Sequence, residues 1–231
     1  MCIDTTGMHS NDFHDWIAIG FEEMKTTRQR KALPYQRIYI FGKRLVLRPY
    51  KLSDHKPLQT SHNLRLQPVN KYDEPIPTAK EADRVKYGAR LQRQRQNGKE
   101  GHHFIFGAFD KASGVFIGQI DLFTINQQLR WANIGYHIQN HCFGNGYATE
   151  SVVLGLRIGF QVLGYHRIEA AMELDNKASR KVAQKSGLRF EGVREKFFPD
   201  NGGVDMNVFA TNAIDFKKGR RRLERAKRRT E

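Results

Sequence analysis

The longest apolar-periodic segment of the chain covers residues 148–163, and its period predicts an amphipathic helix. An apolar, strand-like run ends shortly before it at residues 136–138, and the connecting loop carries two glycines one residue apart, Gly144 and Gly146. Unpaired backbone N–H groups converge at a helix N-terminus, and the helix dipole favours negative charge there. Glycines also let a phosphate approach the backbone closely. The pattern predicts a pyrophosphate-binding site, although an ordinary strand-to-helix turn would show the same two glycines.

The rest of the pattern predicts a single mixed α/β domain. A helix is predicted over residues 78–96, because Thr78 to Glu81 has capping-box spacing and Gly98 follows its end. A second short helix is predicted over residues 177–187, whereas the signal between His55 and Thr78 is weak. Strands are predicted over residues 38–41, 45–47, 103–109, 115–125, 131–139, 167–174, 188–197 and 204–211, the last two joined by a turn at residues 200–203.

The loop departs from the two common nucleotide-binding motifs. A P-loop would place Lys and then Ser or Thr after its last glycine, but Tyr147 and Ala148 follow Gly146. A dinucleotide-binding fingerprint would need a further glycine, and Thr149 occupies that position. Both of these nucleotide sites are therefore excluded.

A second motif lies further along the chain, at residues 166–192, and contains Asn176, Ser179 and Gly187. Together with the run from Gly144 to Glu150, it resembles the GNAT acyl-CoA N-acyltransferases, and within them the RimJ/RimL ribosomal-protein N-terminal acetyltransferases. The resemblance covers residues 44–216. It implies an α/β (α+β) fold in which a mostly antiparallel sheet, flanked by helices, is splayed where acetyl-CoA enters. It also implies direct acetyl transfer from acetyl-CoA to a primary amine.

Composition supports a globular protein. The chain has 231 residues, 39% of them hydrophobic and 11% aromatic. No apolar run approaches the length of about eighteen residues that a membrane span needs, and the N-terminus has no signal-like pattern. Cys2 and Cys142 give no disulfide framework, so we expect a cytoplasmic location. We divide the chain into an N-terminal extension (1–36), which packs either on the domain or on a second copy in a homodimer, the transferase domain (37–216) and a tail (217–231).

The tail holds much of the formal net charge of +15, because residues 217–229 contain nine basic residues and a single acid, Glu224. Such a block raises affinity for phosphate-rich partners. It is either a solvated extension or a contact to RNA, and the resemblance favours contact with RNA or the ribosome.

The resemblance places the cofactor along the strand end and the loop. The pantetheine arm would pair with the strand backbone, and the pyrophosphate would bind the loop N–H groups. His141 replaces the Gln or Arg that we align with the start of the family's loop pattern, so the site lacks a fixed charge there, and an exposed histidine without a role is the alternative. Asn176 would cap its helix and also contact the arm. The predicted cofactor-binding residues are Tyr136, His137, Ile138, His141, Cys142, Phe143, Gly144, Asn145, Gly146, Tyr147, Ala148, Asn176 and Ser179.

The catalytic residues are less well defined. By resemblance Ser179 would protonate the departing thiolate, although a serine here also suits a helix cap. Ala183 stands where many relatives carry a tyrosine as this acid. Asn133 stands where many carry a glutamate as the base, and an amide cannot act as a base. Glu169 and Asp121 are the candidate bases, each competing with an ordinary structural role, and a water relay is the third choice.

The acceptor is the least defined part. We assign Asn133 and Asp205 to its side of the site, where Asp205 would hold the amine or merely finish a turn. By resemblance the acceptor is a protein N-terminal amine, such as that of a ribosomal protein. The alternatives are a small amine (a polyamine or an aminoglycoside) and a non-catalytic module that binds CoA or RNA. No metal is implied, because the histidines lack ligand spacing.

Overall fold

The structure is a computed structural model that describes residues 34–73, 83–198 and 203–219. A 3-10 turn, Tyr35–Arg37, precedes the first strand, and a π-helical turn, Ile158–Val162, extends the third helix. Residues 213–219 are also helical. The strands are β1 (Ile40–Phe41), β2 (Leu45–Arg48), β3 (His103–Asp110), β4 (Phe116–Asn126), β5 (Trp131–Ile138), β6 (Arg167–Glu173), β7 (Arg189–Phe198) and β8 (Val204–Asn212). The helices are α1 (His55–Asn63), α2 (Arg84–Glu100), α3 (Tyr147–Arg157) and α4 (Lys177–Lys185).

The strands form one mixed sheet in the order β1-β2-β3-β4-β5-β6-β8-β7. Neighbouring strands are antiparallel except β5 and β6, which are parallel. The predicted fold class, an α/β domain with a mostly antiparallel sheet flanked by helices, is confirmed.

The two faces of the sheet bury different side chains, because side chains alternate between faces along each strand. One face packs beneath α3 and α4 through residues such as Phe106, Ile120 and Ile168, each fully buried. On the other face α1 and α2 cover only the β2–β4 end, through a cluster that includes Leu58 and Leu91. The centre of this second face, here termed the open face, carries His103, Gln119, Asp121, Phe123, Asn133, Gly135, His137 and Glu169.

β5 and β6 diverge in the middle of the sheet. Their pairing covers three residues of β5, from Trp131 to Asn133. β4, in contrast, pairs with β5 as far as Ile138. The edge of residues 134–138 that faces β6 therefore has no strand partner among the described residues. A free strand edge offers unpaired N–H and C=O groups, so this opening can accept an extended ligand.

The largest departure from the predicted elements is α2. Its predicted start at Thr78 lies outside the described residues, and Asp83 caps the helix in the structure. The predicted end at Gly98 is wrong, because the helix continues and stops at Gly101, which has φ +78°. Gly98 packs on the ring of Tyr35, where an added Cβ would come within 2.7 Å of a ring atom. Close packing, and not a turn, accounts for this glycine.

Several sequence predictions fall on parts of the chain that are not described, namely residues 1–33, residues 200–202 of the predicted β7–β8 turn and residues 220–231 of the tail. α1 lies in the stretch where the sequence signal was weak. Among the described residues, no helix combines the length and apolar character needed to cross a membrane.

Candidate active site

The loop between β5 and α3 presents a row of backbone N–H groups. The N–H groups from Gly144 to Thr149 have no hydrogen-bond acceptor within the described residues. The first bonded N–H of α3 belongs to Glu150, which donates to the Gly146 carbonyl. Gly144 and Gly146 have φ of +78° and +75°, a conformation that glycine adopts without strain. A Cβ at Gly144 would meet no atom within 4 Å, so the space beside the donors is open. This cradle at a helix N-terminus fits a diphosphate.

Two side chains hold the loop in this shape. Asn145 Nδ2 donates to the carbonyl oxygens of Phe143, at 3.0 Å, and Cys142, at 3.3 Å. Arg44 Nη1 donates to the Asn145 carbonyl at 2.8 Å, and its guanidinium lies 4.3 Å from the centre of the Tyr147 ring. In a trans peptide the C=O and the following N–H point in opposite directions. Holding these carbonyls on one side therefore directs the next N–H groups to the other.

Glu150 ties the start of α3 to β2. Its Oε1 accepts the N–H groups of Arg44, at 2.7 Å, and Leu45, at 3.1 Å, and its Oε2 accepts Arg44 Nε at 2.9 Å. Burial alone would raise the pKa of Glu150, but these hydrogen bonds outweigh it and lower the pKa. The charged carboxylate is thus part of the frame that carries the loop.

The three residues that precede the loop glycines, His141 to Phe143, add no positive charge. Nδ1 of His141 is buried without a hydrogen-bond partner in the described part of the chain. Burial and the nearby Arg65 guanidinium lower the pKa of His141, so its imidazole is neutral at pH 7. Cys142 is buried, which raises the pKa of its thiol, and Phe143 is exposed. Apart from the Arg44 guanidinium beside Gly146, the anion site therefore depends on backbone donors.

The N-terminus of α4 meets β5 beside the free edge. Asn176 Oδ1 accepts the Ser179 N–H at 3.0 Å, which is the cap predicted from the sequence. The Tyr136 hydroxyl donates to the Ser179 carbonyl at 3.4 Å, and burial raises the pKa of Tyr136 to about 12. The Ser179 side chain also hydrogen-bonds with the Tyr136 hydroxyl, so it lies against β5 beside the free edge.

Glu169 pairs in register with Asn133 on the open face, but its carboxylate is already engaged. It is 1% exposed, and its two oxygens accept from Arg167 at 2.7 Å and from Arg194 at 2.8 Å. Both carboxylate oxygens are thus already held by guanidinium groups. This arrangement weakens the hypothesis that Glu169 takes a proton during the reaction.

The other two predicted polar residues lie on different parts of the sheet. Asp121 lies on the open face, where it pairs in register with Gly135. Asp205 is not brought to this group, because its carboxylate accepts the Lys196 N–H at 2.8 Å within the β7–β8 hairpin. His137 shares the open face with Asp121 and pairs with Gln119, two positions along the β4–β5 ladder.

Sequence reasoning missed several residues whose partners are remote in sequence. Arg44 is one, and Asn140 is another: its side chain accepts the Leu66 N–H at 2.8 Å and donates to Asp73 at 3.0 Å. Asp73 also forms a buried ion pair with Arg65 at 3.0 Å. These contacts fix the segment after α1 against the end of β5. No local pattern marks them, because each pair joins distant segments.

Residues 44–189, more than half of the chain, match the family model described as the acetyltransferase (GNAT) domain. The chain belongs to the GNAT acetyltransferase family. It is therefore an acyltransferase, and the acetyl donor of this GNAT enzyme is acetyl-CoA.

Two Bacillus subtilis proteins are similar to this GNAT enzyme in sequence. The probable N-acetyltransferase YjcK is 31% identical over 168 residues, which are 70% of this chain and 89% of YjcK. The uncharacterized N-acetyltransferase YoaA is 37% identical over 95 residues, which are 41% of this chain but only 54% of YoaA. The match thus spans about half the length of one relative and nearly all of the other.

Solved structures share the fold. The ribosomal-protein-S5-alanine acetyltransferase from Vibrio fischeri superposes with a TM-score of 0.64 at 22% identity, over 78% of this chain and 98% of that one. The residues of this GNAT enzyme fit the donor, because the orphaned N–H groups beside Gly144 suit its diphosphate and the free edge of β5 suits its pantetheine arm.

Proposed function

We propose that this enzyme transfers an acetyl group directly to the α-amine at the N-terminus of a protein. The observation that carries the proposal is the free edge of residues 134–138. The diphosphate cradle lies at its C-terminal end, Ser179 lies beside it on the helix-covered side, and Asp121 lies on the open face. Two substrates can meet at this edge from opposite faces of the sheet, and direct transfer requires such an approach.

Bound acetyl-CoA supplies the acetyl thioester. The N–H groups from Gly144 to Thr149 would bind the diphosphate, and the backbone of residues 134–138 would pair with the arm like an added strand. A backbone N–H of the same edge would polarise the thioester carbonyl. The Ser179 hydroxyl would give its proton to the departing sulfur, and the Asn176 cap fixes the backbone that carries it.

The charges near the edge favour an acceptor with one ammonium group over a polycation. Glu169 is paired with two arginines, and Lys71 lies 2.7 Å from Glu173 and 3.2 Å from Asp175. Asp121 has no lysine or arginine ion partner among the described residues. A polyamine would need several such carboxylates. The name of the Vibrio fischeri neighbour, a ribosomal-protein acetyltransferase, supports a protein acceptor.

We further propose that the enzyme acts in the cytoplasm close to RNA. The tail at residues 217–231 would bring it to phosphate-rich surfaces, where ribosomal proteins are found. The extension at residues 1–36 would contact the domain or a second copy of the chain.

The test is a comparison of acceptors at saturating acetyl-CoA. One peptide has a free α-amine and no lysine, a second has a blocked N-terminus and one lysine, and spermidine is the third acceptor. We expect kcat/KM for the first peptide to exceed the others by at least about 100-fold, since a site built for one polar group rejects mismatched ligands strongly. Preferential acetylation of spermidine would overturn the proposal in favour of a small-amine acetyltransferase.

A further inference from the structure

Asp121 is the centre of a hydrogen-bonded group on the open face. Its Oδ1 lies 3.1 Å from His103 Nε2, and its Oδ2 accepts Gln119 Nε2 at 2.9 Å. Gln119 Oε1 accepts the Tyr50 hydroxyl at 2.9 Å and Arg90 Nη2 at 3.0 Å. Because this oxygen takes two donors, the orientation of the Gln119 amide is fixed and its N–H groups must face Asp121.

The series of hydrogen bonds from Arg90 on α2 through Gln119 to Asp121 leaves the Asp121 carboxylate with spare acceptor capacity. Each of its oxygens accepts from one side-chain donor, and each carboxylate oxygen has a second lone pair. The side chains of His103 and Asp121 are 28% and 25% exposed, so the pair is reachable from the open face. The group is held in position but not sealed by protein.

Gly135 opens the way from Asp121 to the free edge. The two residues are cross-strand partners, and a Cβ added to Gly135 would meet only the Asp121 Cβ within 4 Å, at 3.7 Å. Position 135 therefore places no side chain between Asp121 and the backbone of β5. Any longer residue at position 135 would fill this space.

We infer that Asp121, positioned by His103 and Gln119, binds the ammonium group of the acceptor and takes a proton from it as the carbon–nitrogen bond forms. This inference rests on the proposed function and names the group that recognises its substrate. The ammonium loses two protons in all. One passes to Asp121 and then to solvent, and the other reaches the sulfur through Ser179. A carbon–nitrogen bond replaces the carbon–sulfur bond, leaving a neutral amide, a thiol and one proton in solution.

A base at Asp121 explains how the reaction can proceed although position 133 carries no carboxylate. Asn133 cannot accept a proton, and Glu169 is occupied by Arg167 and Arg194. Asp121 lies on the same face as both, on the strand next to β5. It therefore supplies the missing negative charge from the neighbouring strand.

The experiment compares the acceptor peptide with a des-amino analogue in which a hydroxyl replaces the α-amine. Wild-type enzyme should bind the amine roughly 10- to 100-fold more tightly than the analogue, because a hydrogen-bonded charge pair is lost in the analogue. Asp121→Asn should bind both ligands equally and should lower kcat. The exposed carboxylate Glu195 provides the matched control, so Glu195→Gln should behave like wild type.

A second pair of variants tests the positioning role of His103. His103→Leu removes the donor to Asp121, and His103→Gln restores an N–H donor. We expect kcat/KM for the amine to fall in the first variant and to recover largely in the second, while the acetyl-CoA dissociation constant stays unchanged in both. A merely structural role would give equal losses in both variants.

The outcomes separate this inference from the proposed function. If wild type acetylates the α-amine but Asp121→Asn retains the full preference for the amine over the hydroxyl, Asp121 is not the ammonium site and the proposed function stands. If wild type acetylates no amine and binds amine and hydroxyl peptides equally, both are overturned.

Discussion

The loop glycines act at the scale of single residues. Gly144 and Gly146 were predictable as an anion site because the strand, the turn and the helix lie within a short stretch of sequence. Arg44 and Gln119 were not predictable, since Arg44 contacts Asn145 across 101 positions and Gln119 contacts Tyr50 across 69. A local pattern carries no information on such pairs. Residue-level chemistry in this site therefore divides into a local part, visible in the sequence, and a long-range part, visible only in the fold.

Gly144→Ala should weaken acetyl-CoA binding beyond its effect on stability. Alanine at φ +78° costs about 1–2 kcal/mol, and its Cβ projects into the open space beside the donors. Gly114→Ala is the matched control, because Gly114 also has a positive φ of +71° and open space around it, but lies in the β3–β4 turn. Both variants should lose similar stability in urea, and only Gly144→Ala should lose affinity by calorimetry. Equal affinities would show that the cradle does not hold the diphosphate.

Ser179→Ala should slow transfer more than it weakens acetyl-CoA binding. The variant removes the hydroxyl but keeps the backbone N–H that Asn176 caps, so the start of α4 is retained. A positioned general acid contributes about 100- to 10,000-fold, so we expect a fall in kcat toward that range with a dissociation constant near that of wild type. Pre-steady-state kinetics and equilibrium binding measure the two quantities. Proportional losses would assign Ser179 to cofactor binding alone.

At the scale of elements, alternating and helical periodicities located the strands of the sheet and both helices around the site. They failed where tertiary packing overrides local signals. Gly98 predicts a helix end, but the helix continues through it. The residue is glycine because the Tyr35 ring occupies the space of a side chain. The divergence of β5 from β6 was predicted from the family resemblance, since no periodicity indicates where two parallel strands separate.

Glu150 links two elements, and its replacement should uncouple them. Glu150→Gln loses the charged acceptor of three hydrogen bonds from Arg44 and Leu45, which should cost about 1–3 kcal/mol of the free energy of unfolding at pH 7. The pKa of Glu150 is lowered in the folded state, so this contribution is complete above the ordinary glutamate pKa. It is lost as the pH falls through the lowered value.

Urea denaturation of both proteins at several pH values tests this prediction. The stability difference between wild type and Glu150→Gln should be largest at neutral pH and should shrink as the pH is lowered below about 4. A difference that does not depend on pH would show that the carboxylate charge is not what fixes α3 to β2.

At the scale of the whole molecule, the family determines the reaction far more firmly than the acceptor. The fold is shared with solved acetyltransferase structures. The charges on the open face belong to this chain, and its composition adds a net charge of +15. Sequence alone could count these charges but could not say which carboxylates are already paired.

Removing residues 217–231 should weaken RNA binding without slowing acetylation of a free peptide. The cut keeps Phe216, whose ring packs against Phe160 with centroids 5.2 Å apart, so the domain core is retained. Nine basic residues are lost, and the dependence of binding on salt should become shallower. Filter binding to single-stranded RNA across a salt series measures this effect. Unchanged RNA binding at low salt would show that the tail does not contribute to it.

Thermal unfolding with and without acetyl-CoA, with NAD as the control ligand, tests the central claim that this loop and strand edge form an acetyl-CoA site. At about one hundred times the dissociation constant, a bound ligand adds about 2.7 kcal/mol of stability. For a chain of this size that corresponds to a rise in Tm of several degrees, at about 2–4 °C per kcal/mol. We predict this rise for acetyl-CoA and none for NAD. An unchanged Tm with both ligands would contradict the account, because a cradle that binds no acetyl-CoA cannot support transfer.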